Sequence, residues 1–149
     1  MRIRRFRDSD AVKASNCARK ALFEISSRYY PKRIINSVMK HYSPASLKKK
    51  SRKMLILVAA EGSKILGTAG FDDGWILGVF VDPKYHGKEI GTKLLKRIEN
   101  IAKERGFEKI RTHAAVNSIG FYKKNGFRVV KPAYFKDAGK VYRMIKRIK

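Results

Sequence analysis

The chain has 149 residues, 44% hydrophobic and 11% aromatic, and its 36 Lys and Arg outnumber 12 Asp and Glu for a formal net charge of +24. That length and apolar content exclude disorder and support a core without metal or disulfide staples, so one domain spanning residues 1–149 is expected. A lone cysteine, Cys17, excludes a disulfide framework, and no apolar run approaches the roughly 18 residues of a membrane span; a reducing, cytoplasmic setting without a membrane partner is expected.

The opening "MRIRRF" is basic, but no apolar stretch follows it, so a signal peptide is not expected. Residues 2–6 alternate and suit an edge strand. In "DSDAVKASNCARKALFEISSRYY", Ala11, Ala14, Ala18, Leu22 and Ile25 recur at near-helical spacing, with Ser9 or Asp10 placed to cap. Pro31 restarts a shorter helix carrying Ile34, Ile35 and Val38. The basic stretch 42–53 reads as a third short helix or a mobile connection.

From residue 54 the period changes. Met54–Ala60, 65–71 and 75–81 are three strands separated by "EGSK" and "DDG", an antiparallel meander. A helix follows over about 88–104, burying Ile90, Leu94, Leu95, Ile98, Ile101 and Ala102, with Gly106 at its C-terminal end. "FEKIRTHA" is a strand, "NSIGFYKKNG" a short helix closed by Gly126, and 127–135 and 138–148 two last strands. This order predicts an α/β (α+β) mixed sheet of six or seven strands with helices on both faces.

The charge is unevenly spread: residues 1–53 hold 16 basic and 3 acidic side chains, and the remaining 96 hold 20 and 9. Such a field attracts nucleic acid, acidic proteins and phosphorylated cofactors. A lysine-rich solvated face is the plainer account, but ion-pair networks would require matching glutamates that are missing. Aromatics interleave with cations in "YYPKR" and "FRVVKPAYFK", a pattern compatible with stacking on bases and equally with ordinary packing.

The segment "VFVDPKYHGKEIGTKLL" at 79–95 joins an apolar strand to a helix N-terminus through Gly87 and Gly91. Free first-turn amides and the positive end of the helix dipole favour an anion there, and glycines let a phosphate approach the backbone. Lys84, His86, Lys88 and Lys93 add positive charge. The spacing matches neither a nucleotide P-loop nor a dinucleotide fingerprint, and a tight turn with ordinary packing explains two glycines as well. Tyr122 is either a proton donor or a core tyrosine. His41, His86 and His113 lack metal-ligand spacing, so no metal is expected.

"GTAGF", "VFVDPKYHGKEIGTKLLKRIENIAKERG" and "FYKKNGF" together, in this order and spacing, resemble the GCN5-related N-acetyltransferase family over nearly the whole chain. The resemblance implies the acyl-CoA N-acyltransferase fold, a strongly bent mixed sheet in which the strands at about 75–81 and 108–114 splay around the pantetheine of acetyl-CoA. It assigns the backbone of Val79, Phe80 and Val81 to the pantetheine. His86, Gly87, Lys88, Glu89, Ile90 and Gly91 fall on the pyrophosphate loop, with amides through Thr92, and Tyr122 on the acid that protonates the leaving thiolate. Asn117 is a further cofactor contact out of the family's register, whose usual Asn falls two residues earlier, on Ala115.

Two departures stand out. His86 replaces the usual Gln or Arg, and Glu89 replaces a glycine, bringing a carboxylate beside the diphosphate that could occupy the helix amides itself. No general base is evident; Glu24, Asp72 and Asp73 are candidates. The implied reaction is direct attack by a primary amine on acetyl-CoA. The basic front half favours an acidic protein or an anionic small molecule as acceptor, and Tyr29, Tyr30 and Tyr42 either line its pocket or pack the helices. The alternative is a catalytically weak acyl-CoA or nucleic-acid binding module on the same fold. A homodimer is left open.

Overall fold

The structure, a computed structural model, describes all of residues 1–149. In chain order it contains β1 (Arg2–Arg5), α1 (Ala11–Glu24), α2 (Lys32–Lys40), α3 (Pro44–Ser51), β2 (Leu55–Glu61), β3 (Lys64–Asp72) and β4 (Trp75–Val81). These are followed by α4 (Ile90–Glu104), β5 (Lys109–Ala115), α5 (Ile119–Lys124), β6 (Arg128–Phe135) and β7 (Gly139–Arg147). The strands form one seven-stranded sheet in the order β1–β2–β3–β4–β5–β7–β6, antiparallel except between β4 and β5. No helix is long and apolar enough to cross a membrane.

Strand β2 shows how one sequence serves two layers. Leu55, Leu57 and Ala59 join the core beneath α4, while Ile56, Val58 and Ala60 join a second core with Ala14 and Cys17 of α1 and Leu47 of α3. Alternate residues of a strand point to opposite faces, so an unbroken apolar run marks a strand covered on both sides. Beyond β4 the covering changes. Ile110, Ala114 and Met144 still face the α4 core together with Tyr122 of α5. On the other side of β5, β7 and β6 only Gly139 and Val141 are buried, Gly139 against Tyr30 and Ile34, and the rest are half-exposed or exposed.

One local expectation is corrected and one alternative is decided. Asp10 does not cap α1; its carboxylate accepts two bonds from the Arg4 guanidinium, at 2.8 and 2.9 Å, and one from the Arg7 amide at 2.7 Å. The guanidinium holds the buried Asp10 carboxyl below the ordinary carboxylate range, so Asp10 ties β1 to the start of α1. The stretch 42–53 is a helix: Ser43 caps it by accepting from the Ser46 amide at 3.1 Å, and Pro44 follows at the first helical position.

The feature that positions the site lies in β4. Only Trp75 and Ile76 pair with β5, opposite Arg111 and Thr112; the strands then part. On its other side β4 stays paired with β3, but three residues of β4 span the step from Leu77 to Phe80 where β3 uses two, Thr68 to Gly70. The bulge contains Gly78 at φ +60, a left-handed conformation that glycine adopts freely. A bulge sharpens the local twist and bend, turning the end of β4 away from β5.

Candidate functional site

The parting of β4 and β5 opens a cleft of about 370 Å³. Every cofactor contact expected from the sequence lines it except Lys88: the end of β4 (Val79, Phe80, Val81), then His86, Gly87, Glu89, Ile90, Gly91 and Thr92, and across from them Asn117. Lys88 is exposed, its ammonium 5.7 Å from the ring centroid of Tyr85, which does line the cleft. The sequence reading missed the opposite walls, Ala21, Ile25 and Ser26 after and within α1 and Ser118, Phe121 and Lys124 in and before α5. No motif marks them; only the packing of two distant helices against the loop brings them there.

The loop itself is built by its backbone. Asp82 caps a short 3-10 turn, Pro83–Tyr85, by accepting from the Lys84 amide at 3.0 Å. The amides of Gly87 through Thr92 donate to no protein group, and the first helical bond of α4 runs from the Lys93 amide to the Glu89 carbonyl at 3.0 Å. Six successive free donors beside a helix N-terminus are an arrangement that suits an anion.

The two glycines have different reasons. Gly87 stands at φ +83 with open space where a Cβ would project, so it serves the turn and leaves the loop bare. Gly91 is buried, and a Cβ there would lie 3.1 Å from the Phe121 ring and 3.5 Å from Val81. Its role is close packing of α4 on α5 and β4, the plainer of the two explanations its sequence position allowed.

Glu89 takes φ +62 and ψ 19 at the N-cap of α4, the left-handed region where glycine would be at ease. Its carboxylate makes no capping bond to the helix amides; it pairs instead with exposed Lys124 at 3.5 Å. The expected obstruction of the amides by this side chain therefore does not occur. Asn117 has a buried side-chain oxygen without a partner in the cleft, an acceptor that a bound amide N–H would satisfy.

Tyr122 does not line the cleft. It is buried in the α4 core, edge-on to Phe121 and Phe127 at centroid distances of 5.1 and 5.2 Å. Its hydroxyl is beside Thr112, whose own hydroxyl donates to the Ile76 carbonyl at 3.1 Å, the last paired position before the strands part. Burial pushes the Tyr122 hydroxyl up to about 12, opposed by the Thr112 hydrogen bond, so it holds its proton at neutral pH.

A second cavity of about 380 Å³ lies on the other side of β4, lined by Val38, His41, Tyr42, Lys50, Leu77, Gly78 and residues 135–138 among others. Tyr42 packs edge-on to Phe80 at 4.9 Å, and a side chain at Gly78 would collide with the Tyr42 hydroxyl. Burial raises the Tyr42 hydroxyl above its ordinary value and lowers Lys50, whose ammonium lies 4.6 Å from the Tyr42 ring centroid. The one carboxylate of this cavity is Asp137; Glu24, Asp72 and Asp73 line neither cavity. No group of three or more His, Cys, Asp or Glu side chains is placed to hold a metal ion.

The acetyltransferase (GNAT) family model matches residues 19–127, and the chain belongs to that family. It is similar to a solved PaiA N-acetyltransferase of Thermoplasma acidophilum in complex with coenzyme A, at 27% identity and a TM-score of 0.81, covering 98% of each chain. A GCN5-related N-acetyltransferase from Rhodopseudomonas palustris is 19% identical with a TM-score of 0.91, covering 98% of this chain and 94% of that one. An aminoglycoside 6'-N-acetyltransferase complexed with coenzyme A is 14% identical with a TM-score of 0.74, covering 100% and 98%. The last two likenesses concern the fold alone. No curated protein matches the chain.

Proposed function

We propose that the protein transfers the acetyl group of acetyl-CoA to a primary amine. The observation that carries this reading is the cleft: a strand that leaves its neighbour after two paired residues, beside six unbonded amides at a helix N-terminus. Its donor set suits the cofactor part by part. Free amides of residues 87–92 would hold the diphosphate, with His86 and Lys88 adding donors. The unpaired edge of β4 at Val79, Phe80 and Val81 would bond the pantetheine amides, and the orphan oxygen of Asn117 would accept from an N–H. The reading is further supported by family membership and by the 27% identical relative, which was solved with coenzyme A.

A neutral amine would attack the thioester carbonyl of acetyl-CoA directly: the new C–N bond would form as the C–S bond breaks, and the thiolate would leave. The proton lost by the amine nitrogen would pass to solvent, from which the donor to the thiolate is restored. Tyr122, neutral at physiological pH and close to the point where β4 and β5 part, is the proposed acid that protonates that thiolate. The acceptor would enter from the second cavity, on the far side of β4, where Tyr42 and Asp137 flank the Gly78 bulge. The basic surface favours an amine borne by an acidic protein or an anionic small molecule.

Thermal melting with coenzyme A and acetyl-CoA tests the cofactor assignment. Ligand at about 100 times its Kd raises stability by about 2.7 kcal/mol; an unchanged midpoint at millimolar ligand would sink the reading. Faster acetylation of basic than of acidic peptides would overturn the acceptor class alone.

A further inference from the structure

Acetyl transfer leaves one large feature unused, the cationic side of the sheet beyond β4. Strands β4, β5, β6 and β7 contain no acidic residue. Because Ile110, Thr112 and Met144 are turned to the helices, the pairing register puts Lys109, Arg111, Arg128, Lys131, Arg143 and Arg147 together on the opposite side. Lys109 stands directly across from Arg147, and Arg143 across from both Lys131 and His113. Like charges opposed across a sheet are destabilising. None of the six cations has a carboxylate partner, and the Arg111 Nε is buried without any hydrogen bond.

Flat groups lie among these charges. Trp75 stacks on His113 with centroids 4.7 Å apart and planes 19° apart, and Phe135 meets His113 edge-on at 4.9 Å. The guanidinium carbons of Arg111 and Arg143 lie 5.6 and 5.5 Å from the Trp75 ring centroid. His113 and Phe135 are exposed.

We propose that this face binds single-stranded nucleic acid. Its phosphates would neutralise cations that now repel one another, and its unpaired bases would stack on the exposed rings of His113 and Phe135, beside the half-buried Arg111 and Arg143. A second copy of the chain would bring the same +24 charge to the contact. An acidic peptide matches the charge but offers the aromatic cluster nothing planar, and a duplex hides its bases. The surface is separate from the cofactor cleft and shares only Phe135 with the second cavity, so the proposal does not depend on catalysis.

The experiment is fluorescence anisotropy of a labelled, mixed-sequence single-stranded RNA with the full chain at two salt concentrations, beside its duplex form and polyglutamate. The Arg111→Gln/Arg143→Gln double variant should weaken binding about tenfold or more and make the salt dependence shallower by about 1 to 2 in log–log slope. Lys131→Glu, at an exposed position, should act in the same direction and decides the matter if the double variant fails to fold by circular dichroism. Lys48→Gln/Lys49→Gln on α3 removes the same charge elsewhere and should change little. The proposal is overturned if the RNA does not bind at low salt, if the α3 variant weakens binding as much, or if duplex or polyglutamate binds as tightly as the single strand.

Discussion

On the α4 side of β4 the cavity wall is mostly backbone: six free amides, a left-handed turn and the unpaired edge of a strand. On the α3 side it is mostly side chains, Tyr42, Leu77, Phe135, Lys50 and Asp137, gathered from separated parts of the chain. In the proposed reading a backbone site would recognise what every acetyl-CoA carries, amides and phosphates, and would depend little on the side chain at Glu89. A side-chain site is fixed by each residue it contains, so in the proposed reading it would set the acceptor. One strand serves both, and its bulge at Gly78 is where they meet.

Four substitutions probe that contrast, the most damaging at the shared point. Gly78→Ala forces a Cβ into the left-handed region and against Tyr42 and Phe80. We expect about 2–4 kcal/mol of lost stability and no acetyl transfer, read by thermal melting and a thiol-release assay. Near wild-type activity would mean that the bulge does not hold the two cavities in register.

Tyr122→Phe keeps the ring packing and removes only the hydroxyl, so it should lower kcat about 10²-fold or more with little change in coenzyme A affinity. Because the Tyr122 proton is held up to about 12, its own titration should cause no loss of kcat below about pH 11. An unchanged kcat in the variant assigns Tyr122 to the core alone.

Gly91→Ala presses a methyl onto Phe121. The cost should be about 1–2 kcal/mol of stability, with a weaker coenzyme A Kd as α4 shifts, measurable by calorimetry. Glu89→Gly is the mildest and opposite in sign. It relieves a left-handed glutamate, removes a carboxylate from the cleft and frees Lys124, for a gain of about 0.5–1 kcal/mol in coenzyme A binding. Weaker binding in that variant would show that the Glu89–Lys124 pair shapes the loop productively.

The element order was legible because each element announces itself locally. The period-2 runs, the turns after 61 and 72 and the apolar stripe from Ile90 to Ala102 all correspond to observed strands, turns and helix. The glycine turn before α4 was legible for the same reason: glycine with a following helix is a local signal. Asp10 was misjudged because its partner, Arg4, belongs to another element. The Phe121 contact with Gly91 and the walls given by Ala21 and Ser118 lie beyond any local pattern.

By itself the sequence determined the mixed sheet, the helix that starts at a glycine loop, and a charge too one-sided to be internally neutralised. Tertiary structure alone decided where β4 leaves β5, which way the Glu89 carboxylate turns, and that Tyr42 and Asp137 share a cavity. It also decided that six unpaired cations lie together on one face. The physical reason is range: propensity and period act over a few residues, whereas cavities and charge faces depend on which distant strands become neighbours.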